Sequence, residues 1–538
     1  MRATVKNIFL ICLVAVLSAC FASQPVEAPD SPGPGDGGTT DDRSPPRLLE
    51  VFPADGAEDV SVGAEISARF DEALATGSIS ATALRVLRNG VPVSGLIEVE
   101  GDRLKFVPRG SLDYGSSFEV VLEGGVSDAA GNPLGAERRW GFHSEVFSSE
   151  LPIVRIDPLG EAIPDDPKIP ARMSVALPDA AVDYEGWIGI ELRGSSSLAA
   201  PKKQFGFETW DESQDEIEVE LLGMPEESDW ILQGNYFDSS LLRNYFALEL
   251  SRATGRYAPR MRFAELFLAM PEGDYHYWGA YAVMEKIKRD SNRVPLKRLE
   301  PTHNAEPEIT GGYLLQIDRA DAVDSYFVTS RGTLLLHEYP KGEDITPEQA
   351  AWIEGFVEAF ETALVGPDFT DPVEGYRAYL DVDSMVDFFL VNEALKNIDA
   401  FSFSTFLYKE RGEKLKMGPV WDFDLAMGNL FGPSLSTGPE GWLLCEGRWI
   451  GRILEDPDFL VAAATRYQAL RPGPWSDEAV AGIFDRGLEE WGEAAERNML
   501  GWYGGAEFSY EGRVTELRAW LQARLAWMDS HIEKLCEM

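Results

Sequence analysis

The sequence predicts an α+β protein: an N-terminal β-sandwich, then a larger part in two lobes with a helical C-terminal portion. Three observations predict it. Residues 46–146 alternate apolar and polar side chains with the period of two that strands require. Strand-like runs continue from about residue 151, including Ile188, Ile190 and Leu192. The second half instead repeats its apolar residues at steps of three and four, the helical pattern. A β-rich first half joined to a helical second half is read as α+β with two lobes. With 538 residues the chain has length for several domains and a sizeable core.

Residues 1–20 read as a processing segment, apart from the fold. Arg2 and Lys6 precede an apolar run from Ile8 to Leu17, too short to span a membrane comfortably. Leu17-Ser18-Ala19-Cys20 resembles a bacterial lipobox, which implies a lipid anchor on Cys20 and attachment to a membrane outside the cytoplasm. The alternative is an ordinary signal peptide with an incidental cysteine. Phe21 follows, where aspartate would favour inner-membrane retention, so an outer-membrane address is open. Residues 21–45 are rich in Pro, Gly, Asp, Ser and Thr and read as a flexible tether.

Net charge is −42. Nucleic-acid phosphates would be repelled, so no nucleic-acid partner is expected. Anionic lipid is disfavoured as a general adsorption surface for the same reason. There are five histidines and no Cys/His metal spacing. Once Cys12 is removed with the leader, Cys445 and Cys536 are the thiols of the folded part. They either pair, closing a loop with roughly 4 to 5 kcal/mol of chain-entropy stabilisation, or stay buried and free.

Within residues 46–146, Ile66, Ala68 and Phe70 form one alternating run, Leu104 and Phe106 a second, and Phe118, Val120 and Leu122 a third. Asn89-Gly90 marks a two-residue hairpin, because a type I′ turn needs positive φ at both positions. Asp128–Leu134 is a further turn. Short strands at this spacing predict a small sandwich. Phe52-Pro53-Ala54-Asp55-Gly56-Ala57, Phe70-Asp71-Glu72 and the turn at Asp128 together resemble bacterial Ig-like modules of the surface-layer type, which implies a spacer or adhesive unit.

Residues 151–538 are read as one further domain. Gln204–Glu208 follows as a strand, and the acidic stretch from Glu208 to Asp229, without lysine or arginine, as a solvated hairpin or loop. Ser239 or Ser240 is placed as the cap of a helix through Leu241, Tyr245, Phe246 and Glu249. Arg262–Leu268 and Gly279–Lys286 are read as paired strands. Thr346-Pro347-Glu348-Gln349 has the form of a capping box, and Trp352, Phe356, Phe360 and Leu364 continue its helix. Another helix is expected from about Ser384 to Lys396. Val514, Leu517, Leu521, Leu525, Met528, Ile532 and Leu535 form the apolar stripe of a long terminal helix.

The most informative segment is Trp421-Asp422-Phe423-Asp424, after the strand-like run Leu415–Val420. In an extended chain, residues two apart share a face, so Asp422 and Asp424 would aim at one point, as a hard cation requires. Taken alone, the segment reads as a buried aspartate capping backbone amides. Phosphoryl transfer needs a cation near the phosphates, carboxylates for a metal, and a carboxylate beside the accepting hydroxyl. Lys202 and Lys203 at an early strand, Asp399 after a helix, and Asp422 and Asp424 after a hairpin supply these in order.

The motifs Arg193-Gly194-Ser195-Ser196-Ser197, Pro201-Lys202-Lys203-Gln204-Phe205, Ser228–Leu232, Leu242-Arg243-Asn244, Gly279-Ala280-Tyr281, Glu285–Lys288, Gly311-Gly312-Tyr313, Asn397-Ile398-Asp399 and Gly418–Asp424 run in order across roughly residues 185–470. Together they resemble the CotH kinase family. The resemblance implies an atypical protein-kinase-like domain that transfers phosphoryl from ATP to Ser or Thr of a cell-surface protein with Mg²⁺ or Mn²⁺. It implies Lys203, or alternatively Lys202, on the nucleotide phosphates and Glu249 orienting that lysine. Asp399 would serve the acceptor hydroxyl, and Asp422 would bind the metal with Asp424 assisting. Arg193 would support phosphate or a buried carboxylate, and Glu285 would lie near the adenine-side strand or form a surface pair. One departure stands out: five residues after Asp399, where kinases carry a metal-binding asparagine, this chain has Ser404. Asn397 and Asn429 are candidate substitutes. Two other readings are open: a non-catalytic surface scaffold, and a carboxylate-pair glycosidase, for which nothing places an acid opposite a nucleophile.

Overall fold

The computed structural model describes residues 43–271, 273–320, 325–429, 438–503 and 509–537. Cys20, the leader and most of the tether lie outside the described residues.

The N-terminal part is built from Leu48–Phe52 (β1), Ala57–Val60 (β2), Ile66–Phe70 (β3), Leu84–Arg88 (β4), Val91–Pro92 (β5), Gly95–Glu100 (β6), Arg103–Pro108 (β7), Ser117–Leu122 (β8) and Arg138–Ser144 (β9). They form two sheets, ordered β1-β3-β7-β6 and β2-β9-β8-β4-β5. The alternating residues do what the period demands: Ile66, Ala68, Phe70, Leu104, Phe106, Phe118, Val120 and Leu122 are all buried in one core. Asn89 and Gly90 have φ of 51° and 81°, and Arg88 pairs with Val91 across them. The turn at Asp128 is closed by its own carboxylate, which accepts from the Asn132 backbone and side-chain amides at 2.8 Å.

The next strands are Ile153–Asp157 (β10), Ile169–Ala176 (β11), Val182–Arg193 (β12), Gln204–Trp210 (β13), Val219–Leu221 (β14), Met224–Glu227 (β15), Asp229–Gln233 (β16), Met261–Ala269 (β17) and Tyr275–Glu285 (β18). Seven of them close a barrel in the order β10-β11-β12-β13-β16-β18-β17, and β14 and β15 pair as a separate hairpin. The expected pairing of 262–268 with 279–286 is present, with Arg262 opposite Val283. Tyr313–Ile317 (β19), Tyr326–Val328 (β20), Leu334–Tyr339 (β21), Thr405–Lys409 (β22) and Leu415–Met417 (β23) form a second sheet, ordered β20-β21-β19-β22-β23.

The helices are Arg243–Arg252 (α1), Pro347–Val365 (α2), Val382–Ala394 (α3), Arg448–Ile453 (α4), Pro457–Leu470 (α5), Asp477–Tyr503 (α6) and Tyr510–His531 (α7). The capping box forms at α2: Thr346 accepts from the Gln349 backbone while the Gln349 side chain returns to Thr346. All seven apolar residues of the C-terminal stripe are buried in the largest core. Helix α1 departs from expectation at its start. Neither Ser239 nor Ser240 caps it; the Asp238 carboxylate takes the backbone N–H of Arg243 at 2.8 Å and also holds Ser240. The acidic stretch departs at its end. Glu227 and Asp229 are 5% and 7% exposed, and Lys288 bridges them at 2.7 and 2.6 Å. The basic residues absent locally arrive from β18's far end.

Cys445 and Cys536 are joined, with Cα atoms 5.5 Å apart and a sequence separation of 91. The bond ties the loop before α4 to the C-terminal end of the core. A disulfide typically stabilises by a few kcal/mol, so Cys445→Ser is expected to lower unfolding free energy by about 2–4 kcal/mol. Urea titration of the unaltered and substituted proteins checks it.

Candidate active site

A cleft of about 300 Å³ opens where β12, β13 and β16 of the barrel face α1, the loop after α3, and the segment after β23. It brings together Arg193, Asp399, Asp422 and Asp424, which are scattered over more than 230 residues of sequence. It also gathers residues that the sequence did not single out for a role: Asn244, Gln204, Gln233, Asp318 and Arg319.

Arg193 is the last residue of β12 and Gly194 begins the turn to Ser197. Gly194 has φ of 109°, and a Cβ there would sit 1.8 Å from Ser197 Oγ, so this turn requires glycine. The Arg193 guanidinium lies 5.7 Å from the centre of the Trp421 ring and 3.5 Å from Gln204 Oε1. Burial pushes its pKa below the usual arginine value, against the pull of Asp422, Glu191 and Asp424.

Asp399 sits in the loop after α3, its backbone N–H donating to Asn397 Oδ1 at 3.1 Å. Burial first, and then the charges of Asp422 and Asp318, raise its pKa to about 6. Asp422 does not lie in an extended strand, as its alternation with Asp424 suggested; its φ is 60° and the segment after β23 is irregular. The turn still delivers both carboxylates to the cleft. Asp422 Oδ2 accepts from Ser404 Oγ at 3.3 Å, and its backbone carbonyl accepts from Asn397 Nδ2 at 3.3 Å. Asp424 is 7% exposed and accepts from Asn244 Nδ2, while Asn244 Oδ1 takes the Phe423 N–H at 2.8 Å. Both carboxyls are pushed up by burial, Asp424 further by Asp422 itself. Asn429 holds the turn by donating to the Asp424 carbonyl at 2.6 Å.

Asp318 follows β19 and joins this cluster through Ser404, whose backbone N–H donates to Asp318 Oδ2 at 3.1 Å. The signal for it was a carboxylate ending the apolar strand Tyr313–Ile317; only the β19–β22 register, with Ile317 opposite Thr405, brings it beside Ser404.

The remaining expected site residues are elsewhere. Lys203 does not line the cleft; its ammonium donates to the Leu198 carbonyl at 2.6 Å. Lys202 is fully buried, donating to Ala280 O and to Asn498 Oδ1 at 2.7 Å, with its ammonium 4.4 Å from the Tyr281 ring centre. It ties the barrel to α6. The cations that line the cleft are Arg193, one strand earlier, and Arg319 after β19. Glu249 orients no lysine: it pairs with Arg252 on its own helix. Glu285 forms neither a cleft wall nor a pair with Lys286. It is fully buried, accepting from Arg260 and, at 3.1 Å, from Tyr257 Oη.

Among the described residues no three His, Cys, Asp or Glu side chains converge as a ready-made metal cage. The donor set nevertheless fits a hard cation. Mg²⁺ is commonly held by one or two carboxylates, with phosphate and water oxygens completing the shell. Asp422 and Asp424 offer such a pair; burial raises both pKa values, and Asp422 raises that of Asp424 further, so a cation between them would offset the charge they share.

Residues 190–528 match the CotH kinase protein family, and residues 42–144 match a bacterial Ig-like domain. The first match covers more than half of the chain, which belongs to the CotH kinase family. No curated protein matches it. Among solved structures, CopC from Methylosinus trichosporium OB3b is 14% identical; the match covers 19% of this chain and 97% of CopC, with a TM-score of 0.16. For the L,D-transpeptidase from Mycobacterium smegmatis the values are 15% identity, 30% and 60% coverage, and 0.15, so the chain spans about 60% of that protein's length. Native alpha-2-macroglobulin from Escherichia coli, in its domains MG0-NIE-MG1, is 10% identical, with 35% and 92% coverage and a TM-score of 0.16.

Proposed function

We propose that the cleft is the phosphotransfer site of a cell-surface kinase that uses ATP and Mg²⁺ or Mn²⁺. The barrel and the helical part then act as the two lobes of an atypical protein-kinase-like domain. The observation that carries the reading is the meeting of Asp399, Asp422, Asp424 and Arg193 around one cavity, in a chain of the CotH kinase family.

In this reading Arg193 and the Gly194–Ser197 turn bind phosphate oxygens through guanidinium, backbone and hydroxyl donors. Asp422 and Asp424 hold the divalent cation, which when bound offsets charge on the phosphates. Asn244 keeps the Asp424 carboxylate aimed, Ser404 holds that of Asp422, and Asn429 braces the turn through the Asp424 carbonyl. Asp399 orients a Ser or Thr hydroxyl of the acceptor protein and takes its proton as the new P–O bond forms; the bond to the bridging oxygen breaks and ADP leaves. A pKa near 6 keeps Asp399 mostly ionised at neutral pH while leaving it more basic than an ordinary aspartate.

The Ig-like match supports an extracellular or surface setting. No described helix is long and apolar enough to cross a membrane. Lipidation of Cys20, with an outer-membrane address, supplies the anchor in this reading.

Transfer of labelled phosphate from ATP with Mn²⁺ tests it. Asp399→Asn is expected to lower the rate about 10²- to 10⁴-fold. Ser404, in the place of a metal-binding asparagine, favours the second reading, a non-catalytic scaffold. In that case the unaltered protein transfers nothing, and partner binding survives Asp422→Asn.

A further inference from the structure

One polar row crosses the cleft floor. Arg193 on β12 pairs with Gln204 on β13. Phe205 pairs with Leu232, which sets Gln204 beside Gln233, the last residue of β16. Gln233 in turn faces Ala282 on β18, where the polar row ends. Arg193, Gln204 and Gln233 all line the cavity. With strands about 4.8 Å apart, Gln233 lies roughly 10 Å along the row from Arg193.

The two glutamines differ in one respect. Each is 7% exposed. Gln204 Oε1 is turned to the Arg193 guanidinium, whereas Gln233 Oε1 is buried with no hydrogen-bond partner. A buried carbonyl oxygen without a donor is costly, and native proteins rarely leave one so. Phosphate cannot satisfy it, because ionised phosphate oxygens only accept. The missing partner is an N–H or O–H group. Leu248 and Met284, each 2% exposed, line the same cavity and give it apolar surface suited to a flat ring.

We infer that Gln233 is a specificity-determining residue: its Oε1 accepts a hydrogen bond from the nucleoside of the bound nucleotide, about 10 Å from the arginine that meets the phosphates. The assignment rests on the nucleotide-binding reading of the cleft. The donor is either the exocyclic amine of adenine or a ribose hydroxyl, and nucleotide analogues separate them.

The experiment is calorimetric titration of the full chain, with Mg²⁺, using ATP, inosine triphosphate (no exocyclic amine) and 2′-deoxy- and 3′-deoxy-ATP. In the unaltered protein one class of analogue, base-altered or sugar-altered, is expected to bind about 10- to 100-fold more weakly than ATP. Gln233→Met, similar in length but without the acceptor, should weaken ATP by a like factor and abolish the discrimination. Gln233→Glu, which keeps an acceptor oxygen, should retain it. Equal binding of all four nucleotides by the unaltered protein overturns the assignment while leaving the kinase reading intact. So does full ATP affinity in Gln233→Met. Absence of ATP binding to the unaltered protein overturns the nucleotide reading itself, and this assignment with it. The analogue series needs no substitution, so a variant that fails to fold does not shield the inference.

Discussion

Asp422→Asn is expected to lower phosphotransfer by about 10³-fold or more, since a metal's charge stabilisation is worth several kcal/mol. It should do so while leaving the fold more stable at neutral pH. Burial raises the pKa of Asp422 despite Arg193 and Ser404, so its ionised form is held at a cost in the folded state. The sign follows from linkage. A carboxyl with a folded pKa above its unfolded value of 3.8 makes the protein less stable as pH rises through that interval. Asparagine removes this penalty and also relieves Asp399, whose raised pKa owes part of its shift to Asp422, while the buried Arg193 loses one counter-charge but keeps Glu191 and Asp424. The variant should therefore melt higher than the unaltered protein at pH 7. The gap should close below about pH 4, where both carboxyls are protonated. Calorimetric melting from pH 3.5 to 8, without metal, measures it. A residue kept for shape alone would lower the melting point when replaced.

Arg524→Leu is expected to be among the most destabilising single changes outside the cleft, by about 3–5 kcal/mol. Arg524 and Glu393 join α7 to α3, and both side chains are completely buried. The guanidinium donates to Glu393 Oε1 at 2.7 Å and to the Pro439 and Gly441 carbonyls at 2.9 and 2.7 Å. The Glu393 carboxylate also takes the backbone N–H groups of Leu443 and Leu444 at 2.9 and 2.6 Å. Leucine would leave Glu393 charged in an apolar interior and strand two carbonyls. Burial already raises the Glu393 pKa in the presence of the arginine, so without it the carboxyl would take up a proton and the penalty would shrink in acid. Adding Glu393→Gln, which keeps an acceptor for both amides without the charge, should recover part of the loss. Urea midpoints of the two single variants and the double variant give the coupling.

Local patterns were legible where chemistry acts over a few residues. Asn89-Gly90, the Thr346 capping box and the apolar stripe ending at Leu535 each needed nothing beyond their own segment. The three aspartates and Arg193 were named from motif order, and they share the cleft. What escaped the sequence depends on register and on distant partners. Alternation could not show that Arg193, rather than Lys203, ends its strand at the cavity, because the β12–β13 pairing fixes that. Lys202 reads as a solvated strand lysine until Asn498, 296 residues away, accepts from it. Glu227 and Asp229 look solvated until Lys288 arrives from the segment after β18. Asp318 takes local hydrogen bonds from Gln316 and Arg319 that mark no site; its place in the acidic cluster emerges only beside Ser404.

The central claim is that the acidic cluster and Arg193 hold a metal-bound nucleotide. Calorimetric titration of ATP, with and without Mg²⁺ or Mn²⁺, into the unaltered protein and Asp422→Asn tests it most directly. The account predicts saturable binding that needs the cation and is lost in the variant. Binding that ignores both the cation and the substitution, or no binding to the unaltered protein, would contradict it.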